Sequence, residues 1–370
     1  MQKQTTLARR LTLAFAICAV GLALSPPALA QVTAAEGYVP PDDKPAVKLG
    51  FTMFTDYTYT DSPTSKNADG SDFNPNAFNL SRAYLNVTGQ MHHLLAFRIT
   101  TDVTRETGTG SSLNGSLTVR LKYGFAQLNL DDWTTKGSWV RFGLQQTPYI
   151  DYAEGVYRYR FQSPIMVDRD GFLTSSDFGL SSHLNLPNNY GDVHVGFYNG
   201  DGYNKAEAND QKGFQVRASL RPLAGVAIAK GWRVTGYWNT DHVAKDQKKD
   251  RWLVDTTFEH PYVNLGFTYL EATNQASPGA AEVKPRDFSI WVTPRTTFGL
   301  EALIRYDELK PNKDLDQKQK RTIFGVAYWF SFGHGVVAAL MADTTQEKFD
   351  NYTPAKSDNK NYALHTLLNF

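Results

Sequence analysis

The sequence predicts an all-β fold, a closed antiparallel transmembrane β-barrel of about 16 strands. Three observations carry this. Segments whose side chains alternate with a period of two, rich in aromatic and β-branched residues, recur along the chain. The connections between them alternate between short turns and long polar loops, the asymmetry of a barrel with turns on one membrane side and loops on the other. Finally, the chain closes on NYALHTLLNF, where Tyr362, Leu364, Thr366, Leu368 and Phe370 share one strand face.

The chain opens with MQKQTTLARR, LTLAFAICAVGLAL and SPPALA. A basic start, an apolar run at residues 11–24 and the small residues Ala28 and Ala30 form the pattern of a secretory signal peptide over residues 1–30. The apolar run is short for a membrane-spanning helix. Residues 31–370 are then expected as a single outer-membrane barrel, led by a short periplasmic segment at 31–45. The one cysteine, Cys18, falls in the signal, so no disulfide is expected after export. Losing Lys3, Arg9 and Arg10, with no acid among the first 30 residues, lowers the formal charge from +1 to −2. That balance gives no reason to expect nucleic acid as a partner.

Strands are expected at 46–59, 77–88, 94–104, 117–130, 138–145, 176–186, 190–199 and 212–221. A second set follows at 231–241, 250–259, 262–271, 285–294, 297–308, 320–331, 335–346 and 361–370. Short links such as TGQMHH, LPNNYGD, EHPY, TPRTT and SFGHG alternate with long polar ones such as DSPTSKNADGSDFNPN, RETGTGSSLNG and KPNKDLDQKQ. RPLAGVAIAKG is a longer exception on the short side. An even strand count puts both termini on the periplasmic side. The closing alternation resembles the last strand of outer-membrane barrels, whose terminal aromatic, here Phe370, the barrel assembly machinery reads.

In a wide barrel one strand face meets lipid and the other the lumen. The second expected strand sets Ala83, Leu85 and Val87 against Arg82, Tyr84 and Asn86. The third sets Leu95, Phe97 and Ile99 against Arg98, Thr100 and Asp102. The fourth sets Val119, Leu121 and Tyr123 against Arg120 and Lys122, and the fifth Val140, Phe142 and Leu144 against Arg141. A charge on the lipid face near the midplane costs about 2–4 kcal/mol, so the cations are assigned to the lumen. The same parity turns Arg217, Arg233 and Arg305 inward, with Glu301 and Asp307. This ladder either pairs with local acids or lowers the barrier for anions, as rings of charge do in pores.

The stretch YIDYAEGVYRYRFQSP, residues 149–164, lies in the longest connection, from about Gln146 to Ser175. It holds too many large apolar side chains to be left in solvent. A sixteen-stranded barrel is wide enough to be an aqueous tube. Folded into that tube, the loop would bury its aromatics and set a constriction. Asp151, Glu154, Arg158 and Arg160 would then face Arg82, Arg98, Arg120 and Arg141.

Three stretches resemble the phosphate-selective porin O/P family. FNLSRAYLNVTGQMHHLLAFRITTDV is similar to its early Arg-bearing hairpin, RFGLQQTPY and the following loop to its fifth strand and inward loop, and VGFYNGDGYN to its next hairpin. The resemblance implies a sixteen-stranded barrel, usually a homotrimer, that passes small anions or other hydrophilic solutes. It also implies loop arginines that select phosphate. Arg158 and Arg160 take plausible positions, with Arg169 further along. Asp151, Glu154, Asp168 and Asp170 outnumber them, so a general pore with a mixed-charge eyelet fits as well.

Other chemistry has weaker support. His92 and His93 are adjacent in a turn without ligand spacing, which reads as a turn feature and not a metal site. Ser181-Ser182-His183 is the best nucleophile candidate of an outer-membrane hydrolase, but no orienting acid is evident. Asp168-Arg169-Asp170-Gly171 resembles a piece of a calcium loop, although Met166 would occupy its first ligand position. The expectation is a non-enzymatic porin in the outer membrane of a Gram-negative-type bacterium, needing no cofactor. Its partners would be small hydrophilic solutes or anions, outer-membrane lipid and the assembly machinery. A non-conducting barrel acting as an adhesin or structural protein is the alternative, with the hydrolase behind it.

Overall fold

A computed structural model describes residues 42–207 and 209–370. The expected signal peptide and residues 31–41 lie outside the described residues. Sixteen long strands form the wall: β1 (Ala46–Ser62), β2 (Asn76–His92), β3 (Leu95–Arg105), β4 (Leu117–Asn129), β5 (Trp139–Gln146), β6 (Ser176–Asn185), β7 (Gly191–Tyr198), β8 (Gly213–Leu220), β9 (Trp232–Thr240), β10 (Lys249–His260), β11 (Val263–Gln275), β12 (Arg286–Pro294), β13 (Leu300–Lys310), β14 (Lys318–Gly333), β15 (Val336–Asp350) and β16 (Asn359–Asn369). Every strand pairs antiparallel with its neighbours in sequence, and β16 closes on β1 from Thr52↔Asn369 to Ser62↔Lys360. Closure leaves no unpaired edge, which a spanning sheet requires because lipid offers its amides no partner.

The expected strands are all present. β2–β3, β10–β11 and β14–β15 are joined by two residues each. These turns share one end of the barrel with Phe370, whose backbone exchanges two 3.0 Å hydrogen bonds with Phe51. Alternation does its expected work: in β10, Trp252 and Val254 are exposed outside while Arg251, Leu253, Asp255, Thr257 and Glu259 are buried inside.

One face assignment is corrected. Thr100 pairs with Tyr123 but Thr101 pairs with Leu121, so Lys122 is an extra residue in β4. This bulge reverses the parity downstream. Val119 stays outside at 68 % exposure, whereas Tyr123, expected on the lipid face, is 3 % exposed inside the barrel.

The chain between β5 and β6 enters the lumen. It carries helix α1 (Ile150–Tyr157) and one turn of helix, α2 (Met166–Arg169). Ile150, Ala153, Val156 and Tyr157 form the buried stripe of α1, at helical spacing, and Asp151 and Glu154 lie beside it. The helix ends where Arg158 turns left-handed, at φ 65°, and donates its N–H to Glu154 O at 2.8 Å.

What holds the loop is an apolar area on the inner wall. Leu253, Leu270, Trp291, Leu303, Ile323, Trp329 and Met341, from β10 to β15, cluster with Tyr149, Ile150, Tyr157, Tyr159, Phe161 and Met166 of the loop. Trp291 meets Tyr157 edge-on at 5.3 Å, and Trp329 meets Tyr159 and Phe161 the same way at 5.7 and 5.6 Å. Gly266 makes room for this: a Cβ there would lie 2.6 Å from the Trp291 ring. Each such side chain gains about 1.5–3 kcal/mol over its exposed state.

Trp329→Ala is therefore expected to cost about 3–5 kcal/mol of loop docking while the sheet stays closed. Limited proteolysis should then cut between residues 147 and 175, with unchanged β-sheet circular dichroism. An uncut loop would show that the docking does not depend on this ring.

Candidate functional site

The docked loop leaves the inner face of β2–β5 as the polar half of the lumen. Arg82 and Arg120 share the buried Asp102, at 3.6 and 3.1 Å. Arg120 also donates to Tyr203 Oη at 2.8 Å and stacks on that ring at 4.6 Å. The other three cations have no carboxylate within 4.0 Å among the described residues. Arg98 donates to Asn86 at 2.8 Å and Thr100 at 3.0 Å, and lies 4.6 Å over Tyr123. Arg141 donates to Gln127 at 2.7 Å and Gln146 at 3.0 Å, with Trp139 3.6 Å beneath it. Lys122 sits 4.6 Å over the Tyr84 ring. Neutral acceptors and ring faces orient these side chains without cancelling their charge.

The loop presents acids to this wall. Asp151 accepts the Tyr123 hydroxyl at 2.9 and 3.0 Å. Glu154 pairs with Arg160 at 2.8 Å, and Arg160 reaches on to Asp168 at 3.3 Å. Burial pushes the Glu154 carboxyl up to about 7; Arg160 opposes the shift, and Asp168 and Asp151 add to it.

The remaining expected site residues act as anchors, Arg158 and Arg305 beneath the loop and Arg217 and Arg233 beside the cavity that Arg141 also lines. Arg158, expected at the eyelet, points away from the cationic wall to Glu301 at 3.3 Å and to the Trp329 ring at 4.5 Å. Arg305 holds Asp307 at 2.9 Å and donates to Tyr157 Oη and Pro164 O, both at 3.0 Å. Arg217 donates to Pro148 O at 2.7 Å, lies 3.9 Å over Tyr152 and contacts Asp192. Arg233 pairs with Glu259 at 2.5 Å. Among residues that sequence reasoning left unassigned, Tyr203 and Trp139 support wall cations. Trp139 carried a usable signal, an aromatic two residues from an inward arginine on the same face. Tyr203 comes from a loop and carried none.

Asp168 is paired with Arg160, and Asp170 with Arg169 at 3.0 Å and Arg321 at 3.4 Å, so arginines occupy the acids of the calcium-like stretch. Ser181 donates to Gln145 at 2.6 Å and has His194, not His183, at 3.2 Å. His183 pairs with Asp192 at 3.0 Å. The Ser181 proton is thus directed away from the nearest imidazole.

A cavity lies on each side of the loop. One of about 330 Å³, at the short-turn end, is lined by Arg141, Asp151, His183 and Arg217. One of about 440 Å³, at the long-loop end, is lined by Arg82, Arg120, Arg160 and Asp168.

No family model and no curated protein matches the sequence. Solved structures do match in fold. The anion-selective porin from Comamonas acidovorans is 11 % identical at a TM-score of 0.60, covering 88 % of this chain and 100 % of its own. The outer membrane protein OmpT of Vibrio cholerae is 13 % identical at 0.59, covering 90 % and 100 %. The outer membrane channel DcaP of Acinetobacter baumannii is 11 % identical at 0.58, covering 90 % and 99 %. At such identities the likeness carries the fold: this chain has the barrel of outer-membrane porins over nearly its whole described length.

A pH dependence follows from Glu154. Its carboxyl is mostly neutral below about 7 and charged above, so acidification removes a negative charge beside Arg160 and Lys122. The preference for chloride over potassium, read from reversal potentials, should rise as pH falls from 8 to 6. Glu154→Gln should hold the low-pH value throughout. An unchanged slope in that variant would reject Glu154 as the titrating group.

Proposed function

We propose that the protein is an outer-membrane porin, a passive diffusion channel for small hydrophilic solutes with a modest preference for anions. The observation that carries this is the uneven docking of the loop, whose apolar side packs on one half of the wall and whose acids face the other. It covers the wall from β10 to β15, while Arg98, Lys122 and Arg141 on the other side have no carboxylate within 4.0 Å among the described residues. Asp151 and Glu154 face these cations, which sets a transverse field across the passage. Phosphate is among the anions the channel is proposed to pass, on the resemblance of its early hairpin and inward loop. Assembly as a homotrimer belongs to the same reading; one trimeric form of OmpT from Vibrio cholerae shares the fold. Solutes move down their own gradients, so no enzymatic step or cofactor is invoked, and the bond from Ser181 to Gln145 favours that over hydrolysis.

A second reading has its own support. The loop also touches the polar wall through the Asp151–Tyr123 bonds, and it reaches β1, where Phe161 lies 6.5 Å from Phe54. A loop fixed on both sides suits a non-conducting barrel with an adhesive or structural role.

Single-channel recording of the purified protein in planar bilayers, under a KCl gradient, separates the two. Stable steps with chloride preference are expected. Each charge removed from a wet lumen changes an ion's barrier by about 1 kcal/mol or less. The double variant Arg98→Ala and Arg141→Ala should therefore lower the chloride preference several-fold. Cation preference in the parent protein would sink the anion assignment. Absence of steps from folded protein would sink the channel.

A further inference from the structure

Three segments meet at the short-turn end of the barrel: the residues before β1, the β2–β3 turn and the β4–β5 turn. In β2, Gln90 pairs with Ala96 and His92 with Leu95, which leaves Met91 as a bulge. The bulge re-aims the following side chains. His92 and His93 lie side by side, ring centroids 4.3 Å apart and planes 35° from parallel. Both address one atom. His92 Nε2 lies 3.2 Å from Asp43 Oδ1, and His93 Nδ1 is in close contact with the same oxygen. The His93 backbone N–H donates to that oxygen at 3.2 Å, which fixes the carboxylate over the turn.

We infer that Asp43, His92 and His93 form a binding site for a divalent first-row transition metal, with Zn²⁺ as the archetype. Their three donor atoms all lie within 4.8 Å of one another. A tetrahedral zinc site with bonds of about 2.0–2.1 Å sets its ligand atoms about 3.3 Å apart. The Asp43–His92 separation already has that value, and a metal would open the closer Asp43–His93 contact. Two imidazoles and one carboxylate suit zinc and its neighbours and leave a coordination position for water.

The second independent observation is Asp132, from the β4–β5 turn. It lies 3.0 Å from His93 Nε2, the nitrogen that faces away from Asp43. A carboxylate on the far nitrogen fixes the tautomer that leaves Nδ1 free to ligate, as found behind metal-bound histidines. His92 Nδ1 accepts the Leu94 N–H at 3.3 Å, so ligation through Nε2 moves a proton to Nδ1 and gives up that one long hydrogen bond. The bound metal would staple the segment leading into β1 to the first turn of the wall.

The test is isothermal titration of ZnCl₂ into the untagged full protein in detergent, with Co²⁺ absorption reporting coordination. One Zn²⁺ per chain and tetrahedral Co²⁺ bands are expected. His93→Gln and Asp43→Asn should each weaken binding at least about tenfold, and Asp132→Asn by about 10- to 100-fold. Asp43 precedes the wall, so Asp43→Asn keeps the barrel closed even where a turn variant misfolds. Absence of Zn²⁺ binding in the parent protein overturns the site. So does binding that survives Asp43→Asn and His93→Gln unchanged.

Discussion

The lumen of this barrel depends on where its wall offers apolar surface. A ring of sixteen strands encloses more space than side chains fill, and a loop of some thirty residues enters it. The loop settles where Leu253, Leu270, Leu303 and Met341 replace the polar residues expected of an inner face. From that placement follows the division of the lumen into charges buried beneath the loop and charges on the polar wall.

The charges divide accordingly. Those trapped under the loop are arranged in compensated sets, such as Arg305 with Asp307 and Arg169 with Asp307 and Asp170. An isolated charge there would bear a desolvation cost of several kcal/mol. On β2–β5, Arg98 and Arg141 stay partly exposed and Lys122 is buried against the Tyr84 ring, each with no carboxylate within 4.0 Å among the described residues. The same residue type is a strut on one side of the loop and a source of field on the other.

Much of the architecture was legible in the sequence. Strand alternation placed all sixteen strands, because a half-buried strand has no choice but to alternate. It failed at Lys122, where the bulge shifts parity while Tyr123 and Phe125 continue to look like lipid-facing aromatics. The seat of the loop has its own trace in the sequence: VNLGFTYLEA in β11 carries apolar residues on both faces, with Leu265 and Phe267 outside and Leu270 and Ala272 inside. Arg158 was misplaced because a left-handed residue at the end of α1 decides its direction, and no local pattern announces one. Asp43 lies 50 residues from His93. Nothing in either neighbourhood links them before the barrel closes.

The loop is made early and its seat late. Its bonds to Glu301, Arg305 and Trp329 span 143, 141 and 170 residues. These contacts have to wait for the last quarter of the chain, and such long-range closures are the slow ones in folding. Until β13 and β14 are in place, the segment lacks the part of its seat that Glu301, Arg305 and Trp329 supply. Strand insertion therefore comes first and narrowing second, so an incompletely assembled barrel would be a wider hole than the finished one. In the proposed channel, completing the wall would then also be what keeps the membrane from leaking.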